Sequence, residues 1–402
     1  MTKNFLDTIY LYNCAIRGKE PEIKSDINIK DVYIISKKQG IWDTVFLSLK
    51  KLYDKDKTII EADIFNKLNN EFLIKCTLNS KRLVFVHNII KKLEDNGINC
   101  CILKGESVSL YYNTPLARIS SDTDILIDKE ETDRCLEILK EEGFIIEEQL
   151  YESHQIRCEH PTSGLIEIHN RMYGVKTEDV TFNNEIKYDE DHVTFLGFDK
   201  CELKTLGYTD NALFLLMHFL KHFISEGVGV RQLADTLLYI ENNFSKIDFD
   251  RVNTHLKNLK FDTVFSYIIE IGKRYFDFPK DLVDTSLIDE KLLEKILFDM
   301  ECGGVFGKDS DRKGFYDLYL AERYKSIKNK DISEYYNKRK LARLFPNRKF
   351  MSINYPYVEK NILLMPIAWV HRMIDSIKPK KEILAGENNN ERLDFFKELD
   401  MI

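Results

Sequence analysis

The amino-acid sequence predicts an α/β (α+β) protein in which a small mixed-sheet core is flanked by helical N- and C-terminal regions. Two short apolar runs, at 100–103 and 125–127, suit buried strands, and the first one stops at a glycine. The chain before and after the core shows apolar residues at helical spacing instead. We therefore predict three regions: an N-terminal helical region at 1–95, a core at 96–200 and a C-terminal helical region at 201–402.

Composition and charge exclude several classes of protein. The 402 residues are 44% hydrophobic and 31% charged, with a formal net charge of −7. Negative charge argues against a general nucleic-acid binder, which needs a basic surface to neutralise phosphates. The eight cysteines form no Cys-x-x-Cys pair, which favours reduced thiols, and no apolar run is long enough for a bilayer. We expect a soluble, cytoplasmic protein with no membrane and no nucleic-acid partner.

The N-terminal region is predicted to consist of helices. Apolar residues at 42, 45, 46 and 49 share one helical face, and segments 64–76 and 83–93 repeat that pattern. No combination of chemically active residues stands out here. We expect this region to pack on the core and to shape a substrate cleft.

The clearest chemical motif is Asp122-Thr123-Asp124, which opens the second predicted strand. Residues i and i+2 of a strand point to the same face, so the two carboxylates should lie side by side. At roughly 6 Å they repel by about 3 kcal/mol at an effective dielectric of 20, unless a divalent cation lies between them or both face water. Four other Asp-x-Asp pairs occur, but none of them precedes a continuous apolar strand.

A third carboxylate, Glu167, lies between two isoleucines in the strand predicted at 165–169. A charged side chain in such a strand needs a partner. Three converging carboxylates would form a site for two Mg²⁺ ions, or for Mn²⁺, suited to in-line phosphoryl or nucleotidyl transfer. His154 and His169 lie on the same predicted hairpin, where we expect a hydrogen bond that orients Glu167 rather than metal ligation.

The order of motifs from 99 to 171 resembles an uncharacterised branch of the DNA polymerase β-like nucleotidyltransferases. The features that match are Leu103-Lys104-Gly105, a Tyr-Tyr-x-x-Pro-x-x-Arg loop ending at Arg118, Asp-x-Asp-Ile-Leu-Ile, and an acid-x-His strand at Glu167. Better-known members carry Gly-Ser after the first strand, where this chain has Lys-Gly with Ser107 close by. The resemblance implies a small nucleotidyltransferase core with a mixed sheet.

The resemblance also implies an activity, namely transfer of a nucleoside monophosphate from an NTP such as ATP to a hydroxyl or amine. Asp122, Asp124 and Glu167 would hold the metal ions, and Glu167 would take the proton of the acceptor. We expect nucleotide contacts from six residues: Lys104, Gly105, Ser107, Arg118, Lys221 and Arg231. One alternative is a catalytically silent interaction module of the same fold. A kinase is the other, but the sequence has no Gly-rich kinase loop.

The first helix predicted in the C-terminal region carries His218 and His222 at i, i+4 spacing. That spacing is compatible with zinc, although the Glu of a metalloprotease helix is missing. Lys221 on this helix and Arg231 on the next would instead face nucleotide phosphates. Asp235 lies inside the second apolar helix, so we expect it to pair with Arg231 or with a histidine.

Two further stretches differ in charge from the rest. Residues 175–208 are acidic and are predicted to be a strand-poor connection. Residues 321–380 carry +9, which leaves −16 for the remainder of the chain. This basic stretch either binds an anionic acceptor or forms a solvated helix surface. A polymerase that grips DNA or RNA needs a continuous basic path, so we expect a small-molecule or protein acceptor.

Overall fold

The computed structural model confirms the predicted α/β architecture. It describes residues 1–22, 27–147, 155–172, 188–195, 202–225, 227–286, 288–304, 355–377 and 389–401, with 345, 348, 351 and 352. His154 lies outside these residues, as does most of the basic stretch 321–380. The roles expected for them stay predictions.

The N-terminal region is helical, as its apolar spacing predicts. Its helices are α1 Lys3–Ile16, α2 Ile29–Lys38, α3 Trp42–Lys55 and α4 Ala62–Asp95. The prediction of separate helices at 64–76 and 83–93 is wrong, because α4 is one helix of 34 residues. No glycine or proline lies at 77–82 to interrupt it.

The strands form one mixed sheet, which has seven strands in the described part of the chain, in the order β3-β4-β5-β2-β1-β7-β6. The strands are β1 Cys100–Ile102, β2 Asp122–Ile127, β3 Ile145–Ile146, β4 Gln155–His160, β5 Gly164–His169, β6 Tyr188–Phe195 and β7 Glu202–Leu206. Strand β2 pairs antiparallel with β1 and parallel with β5.

The remaining helices connect and cover the sheet. They are α5 Glu106–Ser109, α6 Thr132–Glu141, α7 Tyr208–Ser225, α8 Val230–Asn242, α9 Phe249–Asn258, α10 Asp262–Tyr275, α11 Glu290–Gly303, α12 Tyr357–Lys360, α13 Met365–Ile377 and α14 Asn389–Glu398. No helix among the described residues is both long and apolar enough to cross a membrane.

Two segments differ from their predicted structure. The sequence predicts a short helix at 106–112, closed before Pro115. That helix ends at Ser109, since the chain turns toward α1, where the Asn113 N–H donates to Ile16 O. The region expected to be strand-poor contains β6 and β7, and β7 joins β1 in parallel. Only two buried leucines mark β7, which is too short a pattern to read from sequence. The three region boundaries stay predictions. Strand β7 lies beyond residue 200, where the core was predicted to end.

The central strands β1, β2 and β5 are largely buried on both faces. One face forms a core with α6 and the C-terminal half of α4, and includes Ile125 and Ile168. The other face includes Leu103 and Leu126 and joins a larger core with α1–α3 and α7–α11. Side chains alternate along a strand, so Asp124 lies on the same face as Leu126. The candidate site therefore lies on the face that α7 and α8 cover.

Candidate active site

The three predicted carboxylates lie on two neighbouring parallel strands. Asp122 begins β2, and Asp124 is opposite Glu167 of β5 in the register of the sheet. Asp124 and Glu167 are buried, whereas the Asp122 side chain is 22% exposed. Ligand atoms of Asp124, Glu167 and His169 lie within 4.8 Å of one another. These three residues form the buried part of the site, and Asp122 lies on its solvent side.

Lys104 places a positive charge between the two aspartates. Its Nζ is 3.2 Å from Asp124 Oδ2 and 3.8 Å from Asp122 Oδ2. Burial by itself would lower the pKa of Lys104, but the carboxylates of Asp124, Asp122 and Glu167 together raise it. The ammonium therefore offsets the repulsion that the sequence predicts within the aspartate pair.

His169 orients Asp124, and the expectation that it orients Glu167 is wrong. Its Nε2 lies 2.8 Å from Asp124 Oδ1, to which it donates, and 4.0 Å from Glu167 Oε2. The imidazole contacts Asp124 on β2, which is more deeply buried than Glu167. A buried carboxylate without a hydrogen-bond donor would be costly. Burial would raise the pKa of Asp124, but Lys104 and His169 hold that pKa well below its ordinary value.

Glu167 receives its partners from β4. Gln155 Nε2 donates to Glu167 Oε2 at 2.7 Å, and Arg157 Nε lies 3.7 Å from Oε1. Burial and the neighbouring Asp124 raise the pKa of Glu167, which brings it closer to the range useful for proton transfer. Gln155 and Arg157 were not predicted from the sequence. The one signal for them is the register of the hairpin, which pairs Arg157 with Glu167.

Gly105 forms the turn from β1 into α5. Its φ of 71° lies in the left-handed region, which favours glycine. A Cβ at this position would lie 3.6 Å from both Arg118 Nη1 and Ser120 Oγ. These polar atoms therefore line a small space beside the Gly105 backbone.

Two serines lie near this turn in different environments. The Ser107 hydroxyl donates to Leu103 O at 2.9 Å and is buried. It would have to break that bond to donate to a phosphate. Ser120 is half-buried, and its Oγ lies 3.4 Å from Asp122 Oδ1. Ser120 thus has a more accessible hydroxyl than Ser107, the serine predicted from the sequence to contact the nucleotide.

Arg118 and Arg231, both expected at the nucleotide, hold the loop before β2 against α8. Arg118 donates from Nε and Nη2 to the two carboxylate oxygens of Asp235, at 2.9 and 2.6 Å. The prediction that Asp235 pairs with Arg231 or a histidine is wrong. Arg231 Nη1 donates instead to Ile119 O at 3.0 Å. Of the Arg118 donors, Nη1 is the one that faces Gly105.

Helix α4 contacts the other side of β2 through residues that no sequence motif points to. Glu106, which is buried, accepts from Arg82 Nη2 at 2.6 Å and from Thr123 Oγ1 at 2.9 Å. Arg82 Nη1 also contacts Thr123 Oγ1. Asn79 Nδ2 donates to Leu116 O at 3.1 Å. These contacts fix both ends of the loop that precedes Asp122.

Lys221 lies on α7 beside two histidines, and all three side chains are half-buried. The rings of His218 and His222 meet edge to face, with centroids 4.5 Å apart. Burial and the nearby charge of Lys104 hold the pKa of His218 well below its ordinary value, so this ring is neutral at pH 7. Among the described residues, no third His, Cys, Asp or Glu joins them in a metal-binding group, so the zinc interpretation gains no support.

A sequence comparison decides what kind of protein carries this site. A family described as an uncharacterised nucleotidyltransferase matches residues 25–277, which is more than half of the 402 residues. The chain belongs to this nucleotidyltransferase family. The resemblance found in the sequence is thereby confirmed, and the protein is a transferase.

Comparison with other proteins adds two distant structural neighbours. The solution structure of the antibiotic-resistance factor ANT(2'')-Ia is 9% identical, with a TM-score of 0.33, and covers 50% of this chain and 98% of that one. A crystal structure of ANT(2'')-Ia in complex with adenylyl-2''-tobramycin is 10% identical, with a TM-score of 0.30, and covers 40% and 89%. No curated protein matches the nucleotidyltransferase sequence. Similarities this low carry no argument about its substrates.

The donor atoms of the nucleotidyltransferase site fit a hard divalent cation. Carboxylate oxygens from Asp122, Asp124 and Glu167 are the ligand type that Mg²⁺ and Mn²⁺ prefer. The Lys104 ammonium between the two aspartates already acts as a stand-in cation, since both carboxylates point toward its charge. His169 Nε2 is engaged as a donor to Asp124, so it fits an orienting role better than ligation.

Proposed function

We propose that this nucleotidyltransferase moves a nucleoside monophosphate group from an NTP to a hydroxyl or amine of a small molecule or protein. The observation that carries the proposal is the register that sets Asp124 opposite Glu167, with Asp122 two residues earlier on the same strand. Mg²⁺ ions, or Mn²⁺, bound there would neutralise phosphate charge and activate the acceptor oxygen or nitrogen. We propose two ions, as the sequence predicts.

The proposed role of each site residue follows from its position. Asp122, Asp124 and Glu167 would hold the metal ions, and Glu167 would accept the proton of the acceptor. Its raised pKa supports that assignment. Contacts to the triphosphate would come from the turn at Gly105, from Lys104 directly before it, and from Arg118 Nη1 and Ser120 Oγ beside it. Ser107, Lys221 and Arg231 remain predicted contacts.

The proposed class of acceptor is based on the distribution of charge along the chain. Net charge of −7 over the chain, with +9 concentrated in 321–380, leaves no continuous basic path in the sequence for a nucleic-acid backbone. We therefore propose a small-molecule or protein acceptor, anionic if the basic stretch contacts it. Titration of fluorescent single- and double-stranded oligonucleotides at physiological salt tests this. Micromolar or tighter binding with a steep salt dependence would contradict it.

The proposed compartment is the cytoplasm. The described cysteines are all free thiols, and most of them are buried. Free buried thiols support a reducing compartment.

The test of activity is incubation with labelled ATP, CTP, GTP or UTP, Mg²⁺ and a panel of hydroxyl and amine acceptors. We expect the wild-type enzyme to transfer label from at least one NTP. The Asp124→Asn variant should transfer none, because that carboxylate binds the metal. Asp250→Asn is the matched control, since Asp250 lies in another Asp-x-Asp pair and is exposed on α9. Transfer by Asp124→Asn at the wild-type rate would contradict the metal role. Absence of both nucleotide binding and transfer would favour the interaction module.

A further inference from the structure

The position of Lys104 differs from what a residue that only binds triphosphate would need. Its ammonium lies between Asp122 Oδ2 and Asp124 Oδ2, at 3.8 and 3.2 Å. The side chain is only 20% exposed, so the amine is held inside the site rather than extended into solvent. Two of the three carboxylates assigned to the metal thus share this ammonium, which offsets one of their negative charges.

A metal ion at these carboxylate oxygens would compete with this ammonium, because the two cations repel each other at such short range. Mg²⁺ binds oxygen ligands at about 2.1 Å and needs their lone pairs directed at it. An ammonium at 3.2 Å from Asp124 Oδ2 would repel a dication bound to that oxygen. The lysine stem is flexible, with rotatable bonds between its backbone and its charge. Lys104 also directly precedes the turn at Gly105, beside the proposed triphosphate contacts.

We propose that Lys104 is an exchangeable internal cation, which occupies the aspartate pair in the metal-free enzyme and moves to the nucleotide phosphates when metal and NTP bind. This inference rests on the proposed function. It adds that binding of the metal ion depends on binding of the NTP. Metal ion alone binds weakly, because it must displace the ammonium from Asp122 and Asp124 without supplying a new anion for it. Metal with NTP binds well, because the triphosphate accepts the displaced charge.

The proposal requires positive coupling between metal and nucleotide. Each ligand must raise the affinity of the other by the same factor, since coupling free energies are reciprocal. Removing the Lys104 charge should relieve the competition for the metal and remove much of the coupling. A lysine that only contacts phosphate would show the opposite pattern, with nucleotide affinity lost and metal affinity unchanged.

The experiment measures Mn²⁺ binding without turnover. Free Mn²⁺ is counted by its electron paramagnetic resonance signal, with and without a non-transferable ATP analogue, and the ion–nucleotide complex is measured separately. The variants are Lys104→Met and Lys104→Gln, the second in case the first does not fold. Lys92→Met is the matched control, because it removes one positive charge from a surface pair with Glu142.

For the wild-type enzyme we expect the analogue to tighten Mn²⁺ binding by about tenfold or more, which corresponds to about 1.4 kcal/mol. Lys104→Met should bind Mn²⁺ alone about tenfold tighter than wild type, with a smaller effect of the analogue. Lys92→Met should behave like wild type. Unchanged or weaker Mn²⁺ binding by both Lys104 variants would overturn the exchange and leave the proposed transfer intact. No Mn²⁺ binding by any form, with or without nucleotide, would overturn both.

Discussion

Arg118 and Asp235 form a buried two-point ion pair, although 117 residues separate them in the chain. Tyr112 adds a hydrogen bond to Asp235 Oδ1 at 2.7 Å, and its own hydroxyl lies 2.9 Å from that of Tyr12 on α1. The network therefore ties the loop before Asp122 to α8 and to the N-terminal region. The position of the candidate site depends on all three parts of the chain.

The first prediction concerns the stability of this network. Arg118→Met should lower the free energy of unfolding by about 3 to 5 kcal/mol, because it leaves the buried Asp235 carboxylate without its ionic partner. The double variant Arg118→Met/Asp235→Leu should recover a large part of that loss. Urea denaturation of the single and double variants measures both. A single variant within about 1 kcal/mol of wild type would show that the pair is of little consequence.

The second prediction concerns Glu167. Glu167→Gln keeps the size of the side chain but removes the proton acceptor, so the transfer step should slow by about 10² to 10⁴. Affinity for the nucleotide should change little, since Asp122 and Asp124 remain. Single-turnover kinetics and calorimetric titration separate the two effects. Glu159→Gln, exposed on β4, is the control. An equal loss of affinity would mean that Glu167 serves metal–triphosphate binding alone.

The third prediction compares two serines. Ser120→Ala should weaken nucleotide binding by about five- to tenfold, the value of one hydrogen bond. Ser107→Ala should weaken nucleotide binding less than Ser120→Ala does, and it should lower stability by about 1 kcal/mol, because its hydroxyl bonds to Leu103 O. Calorimetric titration with a non-transferable NTP measures the affinities. The reverse order would restore Ser107 as the nucleotide contact.

The fourth prediction is a pH effect remote from the site. Burial and the neighbouring Arg251 lower the pKa of His255 on α9 from its ordinary value of 6.5 to about 4. The unfolded chain therefore takes up a proton between these values and the folded chain does not, so stability falls as pH decreases through this window. Relative to His255→Gln, wild type should lose about 2 kcal/mol between pH 7.5 and pH 5. Urea denaturation at the two pH values tests this, and equal losses would contradict it.

The parts of the site that were predictable from sequence are those encoded locally. Asp122 and Asp124 could be assigned to one face because strand alternation has a period of two, and Glu167 because it interrupts an apolar strand. Lys104 was selected from the Leu-Lys-Gly motif after the first strand, which is part of the family resemblance. Its contact with the aspartates was not predictable, because it depends on the antiparallel pairing of β1 with β2.

The contacts that were missed join segments far apart in the chain. Arg118 to Asp235 and Arg82 to Glu106 depend on how helices dock on the sheet, which no local pattern specifies. The single helix α4 was missed for another reason. Its polar residues at 77–82 weaken the apolar pattern without ending the helix.

The large core that unites α1–α3 with α7–α11 has a consequence for synthesis of the protein on the ribosome. Arg17, directly after α1, donates to Glu241 of α8 at 2.6 Å, across 224 residues. At typical elongation rates of 5 to 20 residues per second, the first helices wait about 10 to 45 s before these partners emerge. Their apolar faces are exposed during that time. The nascent chain is therefore expected to need a chaperone, and stable burial of the aspartate site can only follow translation of the later helices.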